Sequence, residues 1–411
     1  MRILYLSQYF PPEAGATQSR AYEMAHTWVR MNHEVTMISE FPNHPSGIMP
    51  PKYKWKFFEK ANLDGIEVIR VWVKASPVKN FRNRMLFYLS YMVNAIIAGL
   101  FLSRGRYDLL YSTSPPLFVG GVALVLSYLK HIPMVFEVRD LWPESAIALG
   151  EITNTRLISL ASKLEDMCYR KAVRIIVVTQ GVNNKLIQRG IPEGKLSIIP
   201  NGANTDLFVF NPTYREYIRK ELGLTGKFIA IYAGIHGLAQ NLETVLLSAR
   251  ELMNNPKIHF LMIGDGPKKS ELISIASFYN LTNLTFLTEK PRELIPMYLS
   301  TADIALVPLR KAEVFDTVVP SKIFDAWACR RPVLLSIGGE ARELVETING
   351  GIYIHPEDPT KMTEAMIKLL NSQGELDVMG KNGYEFTVQN HSRKALAEKL
   401  ISQLEKLVSS Q

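Results

Sequence analysis

Four short clusters carry the residue types that handling an anionic, hydroxyl-rich small molecule would need. The first is Pro320-Ser321-Lys322 with Asp325, lying between the apolar run Ile304-Ala305-Leu306-Val307 and the run Val333-Leu334-Leu335, so it reads as strand, loop, helix, strand. With Ser321 as the expected N-cap, the first-turn N–H groups and the positive end of the helix dipole would point at the carboxyl edge of a parallel sheet, where an anion is at home. Lys322 adds a point charge suited to phosphate, and Asp325, on the same helix face, an acceptor for sugar hydroxyls. The same four residues also fit an ordinary capped helix with a surface Lys–Asp pair. The second and third clusters, Gly234-Ile235-His236-Gly237 with Gln240, and Gly264-Asp265-Gly266-Pro267-Lys268, place glycines at strand-to-helix junctions where backbone N–H groups can approach a phosphate. His236 fits a loop histidine better than a base. The fourth, Arg139-Asp140 with Glu144, puts charge directly after a buried strand, although Asp140 could also merely cap the following helix.

The elements that must hold these clusters alternate. Arg2–Ser7 reads as a buried strand, Gln18–Met31 has helical spacing, and Glu34–Ser39 reads as a second strand, a βαβ opening. Its loop holds one glycine, Gly15, which misses the dinucleotide fingerprint and argues against a nicotinamide cofactor; a plain turn explains Gly15 equally well. Strands follow at Asp108–Tyr111, Met134–Val138 and Arg174–Thr179. The turn signal Pro200-Asn201-Gly202 then precedes a stretch to Gly226 without a clear buried run, and the boundary between two domains is expected there. The second half restarts with Phe228–Tyr232, Ile258–Ile263 and Leu284–Leu287, and ends on an amphipathic helix over Arg393–Ser409. The expected fold class is α/β: two Rossmann-like domains with parallel sheets, 1–205 and 206–392, with residues 393–411 packing back on the first.

At 411 residues one core is too small a plan, and two domains of about 200 residues are the default. The two cysteines, Cys168 and Cys329, exclude a disulfide framework and point to a reducing, cytoplasmic setting. Charge is uneven: residues 1–200 carry 24 Lys/Arg against 15 Asp/Glu, and Lys52–Arg106 alone carries 11 against 3, matching the whole net charge of +8. That segment includes Met85–Leu102, 18 residues without a charge. A span would separate the opening βαβ unit from the strand at Asp108, and arginines flank the run on both sides, so a crossover helix is expected. Its outer side could also rest on an anionic bilayer. Basic residues around an apolar segment, with no recognised module, argue against nucleic acid.

Together the pieces resemble the retaining GT-B glycosyltransferases of family 4, particularly bacterial surface-polysaccharide enzymes of O-antigen and capsule type. The resemblance covers essentially the whole chain and rests on Tyr9-Phe10-Pro11-Pro12-Glu13, Asp140-Leu141-Trp142-Pro143-Glu144, Pro200-Asn201-Gly202 with Asp206-Leu207-Phe208, Gly264-Asp265-Gly266-Pro267, Ala302-Asp303 and Pro320-Ser321-Lys322. It implies a UDP-sugar donor, N-acetylated, held mainly by the second domain, a polyprenyl-diphosphate-linked glycan acceptor held mainly by the first, and reaction in the cleft between them. It implies catalytic roles for Lys322 and Asp140, donor contacts from Gly15, Gly234, Gly237, Gln240, Gly264, Gly266, Lys268, Pro320, Ser321 and Asp325, and an acceptor side at Gln18, Arg139 and Glu144. No cofactor and no metal are expected, in keeping with the absence of any D-x-D triplet. The expected location is cytoplasmic, peripheral at the inner face of the cell membrane.

The chain departs from the family in three places. Asp325 takes the second acidic position of the E-x7-E signature, but the residue eight before it is Thr317, with Glu313 and Asp316 out of register. Arg139 stands where many members have histidine. The Arg and Lys common after the first strand of the second domain are missing, which would load more leaving-group charge onto Lys322. Two other readings share the architecture: a nucleotide-sugar 2-epimerase, which needs no basic membrane-facing helix, and a non-catalytic sugar-nucleotide-binding protein, which the eroded signature would suit.

Overall fold

The computed structural model describes residues 1–13, 15–44, 46–78 and 80–409. Ala14 of the first loop, Lys79 of the basic segment and residues 410–411 of the closing segment lie outside it. The chain divides into two compact units, Met1–Pro200 together with the segment from Lys394 onward, and Asn201–Arg393.

The first unit contains β1 (Arg2–Leu6), α1 (Ala16–Arg30), β2 (Glu34–Glu40), β3 (Phe58–Leu63), β4 (Ile66–Val71), α2 (Phe81–Phe101), β5 (Leu109–Ser114), α3 (Phe118–Lys130), β6 (Met134–Val138), α4 (Glu144–Ala148), α5 (Thr155–Lys171), β7 (Arg174–Val177), α6 (Gln180–Gln188) and β8 (Leu196–Ile198). Its sheet has the order β3-β4-β2-β1-β5-β6-β7-β8, parallel except for the β3–β4 hairpin at one edge. Alternation along β1 sends Leu4 and Leu6 to one core with α2, α3 and α5, and Ile3 and Tyr5 to another with α1, so the strand is apolar throughout. The β3–β4 hairpin was not anticipated from the sequence. β3 is half-exposed and carries Lys60 outward at the edge, so it shows no buried period.

The second unit contains α7 (Pro212–Glu221), β9 (Phe228–Ala233), α8 (Glu243–Glu251), β10 (Ile258–Ile263), α9 (Lys269–Phe278), β11 (Leu284–Leu287), α10 (Ile295–Thr301), β12 (Ile304–Pro308), α11 (Ser321–Ala328), β13 (Val333–Ser336), α12 (Gly339–Ile348), β14 (Gly351–Tyr353), α13 (Pro359–Leu370) and α14 (Gln373–Asn390). Its six parallel strands run β11-β10-β9-β12-β13-β14. α7 fills part of the stretch that lacked a buried run. Asn211 caps it, Pro212 starts it, and Arg215 and Arg219 both bind Asp303, at 2.5 and 2.7 Å.

α15 (Arg393–Ser409) leaves the second unit at Arg393 and buries Leu396, Ala397, Leu400, Ile401 and Leu404 in the first, where the Trp28 indole N–H donates to Ala397 O at 3.1 Å. α2 is long and apolar enough to cross a membrane by length and composition. Tyr91, Ala95 and Ala98 on its inner side are nevertheless fully buried against the sheet, with the Tyr91 hydroxyl donating to Ile38 O at 3.1 Å.

Candidate active site

In the second unit the chain steps from β9 to β10 and β11 in one direction and from β12 to β13 and β14 in the other. The crevice at this reversal opens at the carboxyl ends of β9 and β12. Lys322, in the first turn of α11, reaches it: its Nζ donates to Ala233 O at 2.7 Å and lies 5.1 Å from the centre of the Tyr232 ring. Desolvation pulls the ammonium down to about 8, with Asp325 opposing. Gly234 has a positive φ, and a Cβ there would sit 1.7 Å from Lys322 Nζ, so the glycine is the room the ammonium occupies. Gly264 approaches equally closely, since its Cβ would fall 1.9 Å from Gly234 O, while Gly266 packs on the His236 backbone. His236 N donates to Asp265 O and Lys268 N to His236 O, each at 2.9 Å, which locks the two loops together. Burial, with Lys269 and Lys322 nearby, lowers the His236 imidazole to about 4, so it stays neutral near pH 7. Gln240 folds its side chain over Gly237.

One sequence reading changes here, and the surroundings of two others come into view. Ser321 does not cap α11: Pro320, with φ −65° and ψ 139°, is the N-cap and Ser321 is the first helical residue, without a side-chain capping bond. Anion affinity at this helix start therefore belongs to backbone N–H groups and Lys322. Lys268 is committed elsewhere, its ammonium 2.7 Å from Glu271 and 3.4 Å from Glu243. The neighbouring Lys269 instead donates to Gly264 O at 2.6 Å and Leu287 O at 3.0 Å. The cations that the family places after the first strand of its second domain remain missing, but two others stand nearby. Besides Lys269, Arg310 lies two residues beyond β12, and its backbone N–H donates to Ala239 O at 2.8 Å, beside Gln240. Asp325 lies 3.8 Å from Arg292, a residue the sequence reading passed over. Thr317 closes a short 3₁₀ turn over Glu313–Thr317 in which Glu313 and Asp316 are exposed.

The first unit has its own reversal, between β1 and β5. Gly15 caps α1 with φ +154° and accepts from Ser19 N at 3.0 Å, with Gln18 buried beneath it. Glu13, unassigned in the sequence reading, accepts the Asn43 and His44 N–H groups at 2.6 and 2.7 Å. Asn43 and Gln8 in turn donate to the buried Glu40 carboxylate, each at 2.7 Å, and Arg70 donates to Glu40 O at 3.2 Å and to Pro11 O. Burial raises Glu13 to about 7 and Glu40 well above its ordinary value. Asp140, just past β6, is raised to about 6 by desolvation, against hydrogen bonds from the Ser145 side chain and the Leu141 N–H. α4 is capped by Pro143, not by Asp140. Arg139 N donates to Ser114 O at 3.0 Å, while Glu144 is paired with Arg189 at 3.3 Å. Among the described residues no group of three His, Cys, Asp or Glu could hold a metal ion.

Known proteins resemble this chain over most of its length. Residues 15–202 match the glycosyl transferase 4-like domain, and residues 214–386 match glycosyl transferases group 1. WcaI of Escherichia coli K12, named for colanic acid biosynthesis, is 24% identical over 87% of this chain and 89% of its own length. TuaC of Bacillus subtilis 168, named for teichuronic acid biosynthesis, is 21% identical over 91% and 90%. Among solved structures, Anabaena HepE in complex with UDP-glucose superposes with a TM-score of 0.75 at 16% identity, over 99% of this chain and all of the other. Sucrose-phosphate synthase from Thermosynechococcus elongatus gives 0.73 at 18% identity over the full length of both.

Proposed function

Because the chain is a glycosyltransferase of the two-domain GT-B fold, we propose that it moves an N-acetylated sugar, with retention, from a UDP-sugar to a polyprenyl-diphosphate-linked glycan during surface-polysaccharide biosynthesis. The relatives named for colanic and teichuronic acid support the pathway class, and the neighbours solved with UDP and UDP-glucose support the donor class. The observation that carries the reading is the Lys322 ammonium, seated in the space left by Gly234 at the chain reversal of a parallel sheet.

Transfer requires the bond from C1 to the diphosphate oxygen to break while positive charge develops on the sugar and negative charge on the leaving group. Lys322, the α11 N–H groups and the glycine-rich loops supply fixed positive potential for the departing diphosphate, in a partly buried site. Asp325 accepts from the donor ribose. Gly15 contacts the donor, Gln18, Arg139 and Glu144 hold the acceptor in the first unit beside the catalytic Asp140, and the acceptor hydroxyl attacks the face the diphosphate leaves. The loss of one signature acid at Thr317 removes a contact to the transferred sugar and leaves its neighbours to orient it. The basic, partly exposed α2 region rests on the anionic inner face of the cell membrane, where a lipid-linked acceptor is found.

Incubation with a panel of UDP- and GDP-sugars, with and without a polyprenyl-diphosphate glycan, followed by mass spectrometry, tests the proposal. Acceptor-dependent transfer from a UDP-N-acetyl sugar is expected. Sugar isomerisation without transfer would establish the epimerase reading, and binding without turnover the non-catalytic one.

A further inference from the structure

The outer side of the first unit's helix layer holds a groove of about 640 Å³ between α3 and α5, within the roughly 300–1,000 Å³ typical of small-molecule pockets. Its origin is in the sequence of α3. Gly120 lets the helix close on Cys168 of α5, and Gly121 on Met92 of α2, positions where a Cβ would come within 2.6 and 2.9 Å of the two sulfurs. The helix is apolar all round, so the face turned away from the sheet is apolar too. Val125, Tyr128 and Leu129 fall on one stripe, with Tyr128 71% and Leu129 52% exposed. Across from them Met167, Arg170 and Lys171 form the matching stripe of α5. Among the described residues no carboxylate pairs with Arg170 or Lys171, so two cations stand unneutralised at the edge of an apolar trough.

The trough is not isolated. On the other side of α3, α2 leaves Leu89, Val93 and Ile97 exposed, so apolar surface runs over three adjacent helices, more than the scattered exposure ordinary surfaces show. Aliphatic lining with free cations at the rim complements a hydrocarbon chain that ends in a phosphate. The groove also lies on the far side from the reaction. The C-terminal halves of α3 and α5 lead into the starts of β6 and β7, so they face the amino edge of the sheet, whereas Asp140 and Gly15 lie at the carboxyl edge. A lipid bound here is therefore one of the surrounding bilayer and not the tail of an acceptor poised for transfer.

We propose that the α3–α5 groove seats one acyl chain of an anionic phospholipid, with Arg170 and Lys171 on its phosphate. This rests on the membrane-facing reading above and adds a defined lipid site to it.

The test uses the full chain with phosphatidylglycerol–phosphatidylcholine vesicles containing phosphatidylglycerol that carries a diazirine in one acyl chain, with photoadducts mapped by peptide mass spectrometry. Adducts are expected at residues 124–129 and 167–171. Val125→Glu should cut them at least tenfold, and Arg170→Glu with Lys171→Glu should do the same, while UDP-sugar binding stays unchanged as a check on folding. Adducts confined to α2, with sedimentation on vesicles intact, would overturn the groove and leave the membrane reading standing. Absence of sedimentation on phosphatidylglycerol vesicles at low salt would overturn both. Labelling of the groove by a polyprenyl phosphate probe but not by phospholipid would overturn the chosen occupant.

Discussion

The two sheet edges at which the units concentrate polar side chains differ in the groups that burial perturbs. At the edge of β9 and β12 burial acts on cations, lowering Lys322 to about 8 and keeping His236 neutral, and glycines bring backbone dipoles in close. Past β1 and β6 of the first unit burial raises acids, Glu13 to about 7 and Asp140 to about 6, and it also lowers the neighbouring Arg70 guanidinium. An under-solvated ammonium gains most from an incoming anion, since binding returns the charge stabilisation that folding removed. Under-solvated carboxyls suit a partner that brings hydroxyl donors. Under the proposed function, the donor side desolvates a cation and the acceptor side desolvates acids.

The sharpest way to break this contrast is Lys322→Ala, which should lower turnover about 10²–10³-fold, the range for losing one donor to a developing anion, with a small change in melting temperature. Turnover near the parental value would move the leaving-group site elsewhere. A second effect, at most on the order of 3 kcal/mol in each unit, concerns stability. Glu13 titrates higher folded than unfolded, so its contribution is complete below about 4.5 and is lost as pH rises through about 7. Lys322 titrates lower folded than unfolded, so the second unit gains stability as pH rises from about 8 towards 10.5. Hydrogen-exchange protection, corrected for intrinsic rates, should therefore fall in β2 and rise in β9 between pH 6 and 9.5. Parallel changes in both strands would refute the assignment.

Smaller again is Asp140→Asn, expected to cost about tenfold at pH 7 and to remove an acid limb near 6 from the profile of kcat/KM, while an alkaline limb near 8 remains. The least effect separates two neighbours. Lys269→Ala should weaken UDP binding several-fold, in line with the roughly 1 kcal/mol net contribution of a typical hydrogen bond, whereas Lys268→Ala, which loses partly exposed ion pairs, should change it less than about twofold. Calorimetric titration of both variants with UDP decides whether the structure has chosen the correct lysine.

That last pair shows where sequence reading stopped. The alternation of apolar runs with helical spacing was enough for two α/β units, and glycines after β9 and β10 marked the junctions, because buried parallel strands leave a continuous apolar signature. Adjacent residues at a helix start, however, point about 100° apart, and only the position of Glu243 and Glu271 shows that Lys268 turns away. Ser321 misled for a similar reason, since Pro320 can itself take the extended capping conformation one residue earlier. Glu13 was quoted within a motif but given no role, because its partners Asn43 and His44 lie some thirty positions along the chain, beyond local pattern. β3 gave no signal at all, being an edge strand with one side in water.

The return of α15 has a consequence for how the molecule is made. Leu396, Ala397, Leu400, Ile401 and Leu404 close the same core as Trp28, Met24 and Tyr5, so the first unit to leave the ribosome lacks part of its interior until almost four hundred residues have been synthesised. At about 5–20 residues per second the second unit is complete some ten to forty seconds after residue 200 appears, and the first must wait for it with the α1 face uncovered. The unit that is translated first is therefore finished last, and a chain stopped anywhere before α15 would present that face, with the Trp28 indole at its centre, to whatever chaperone or protease reaches it.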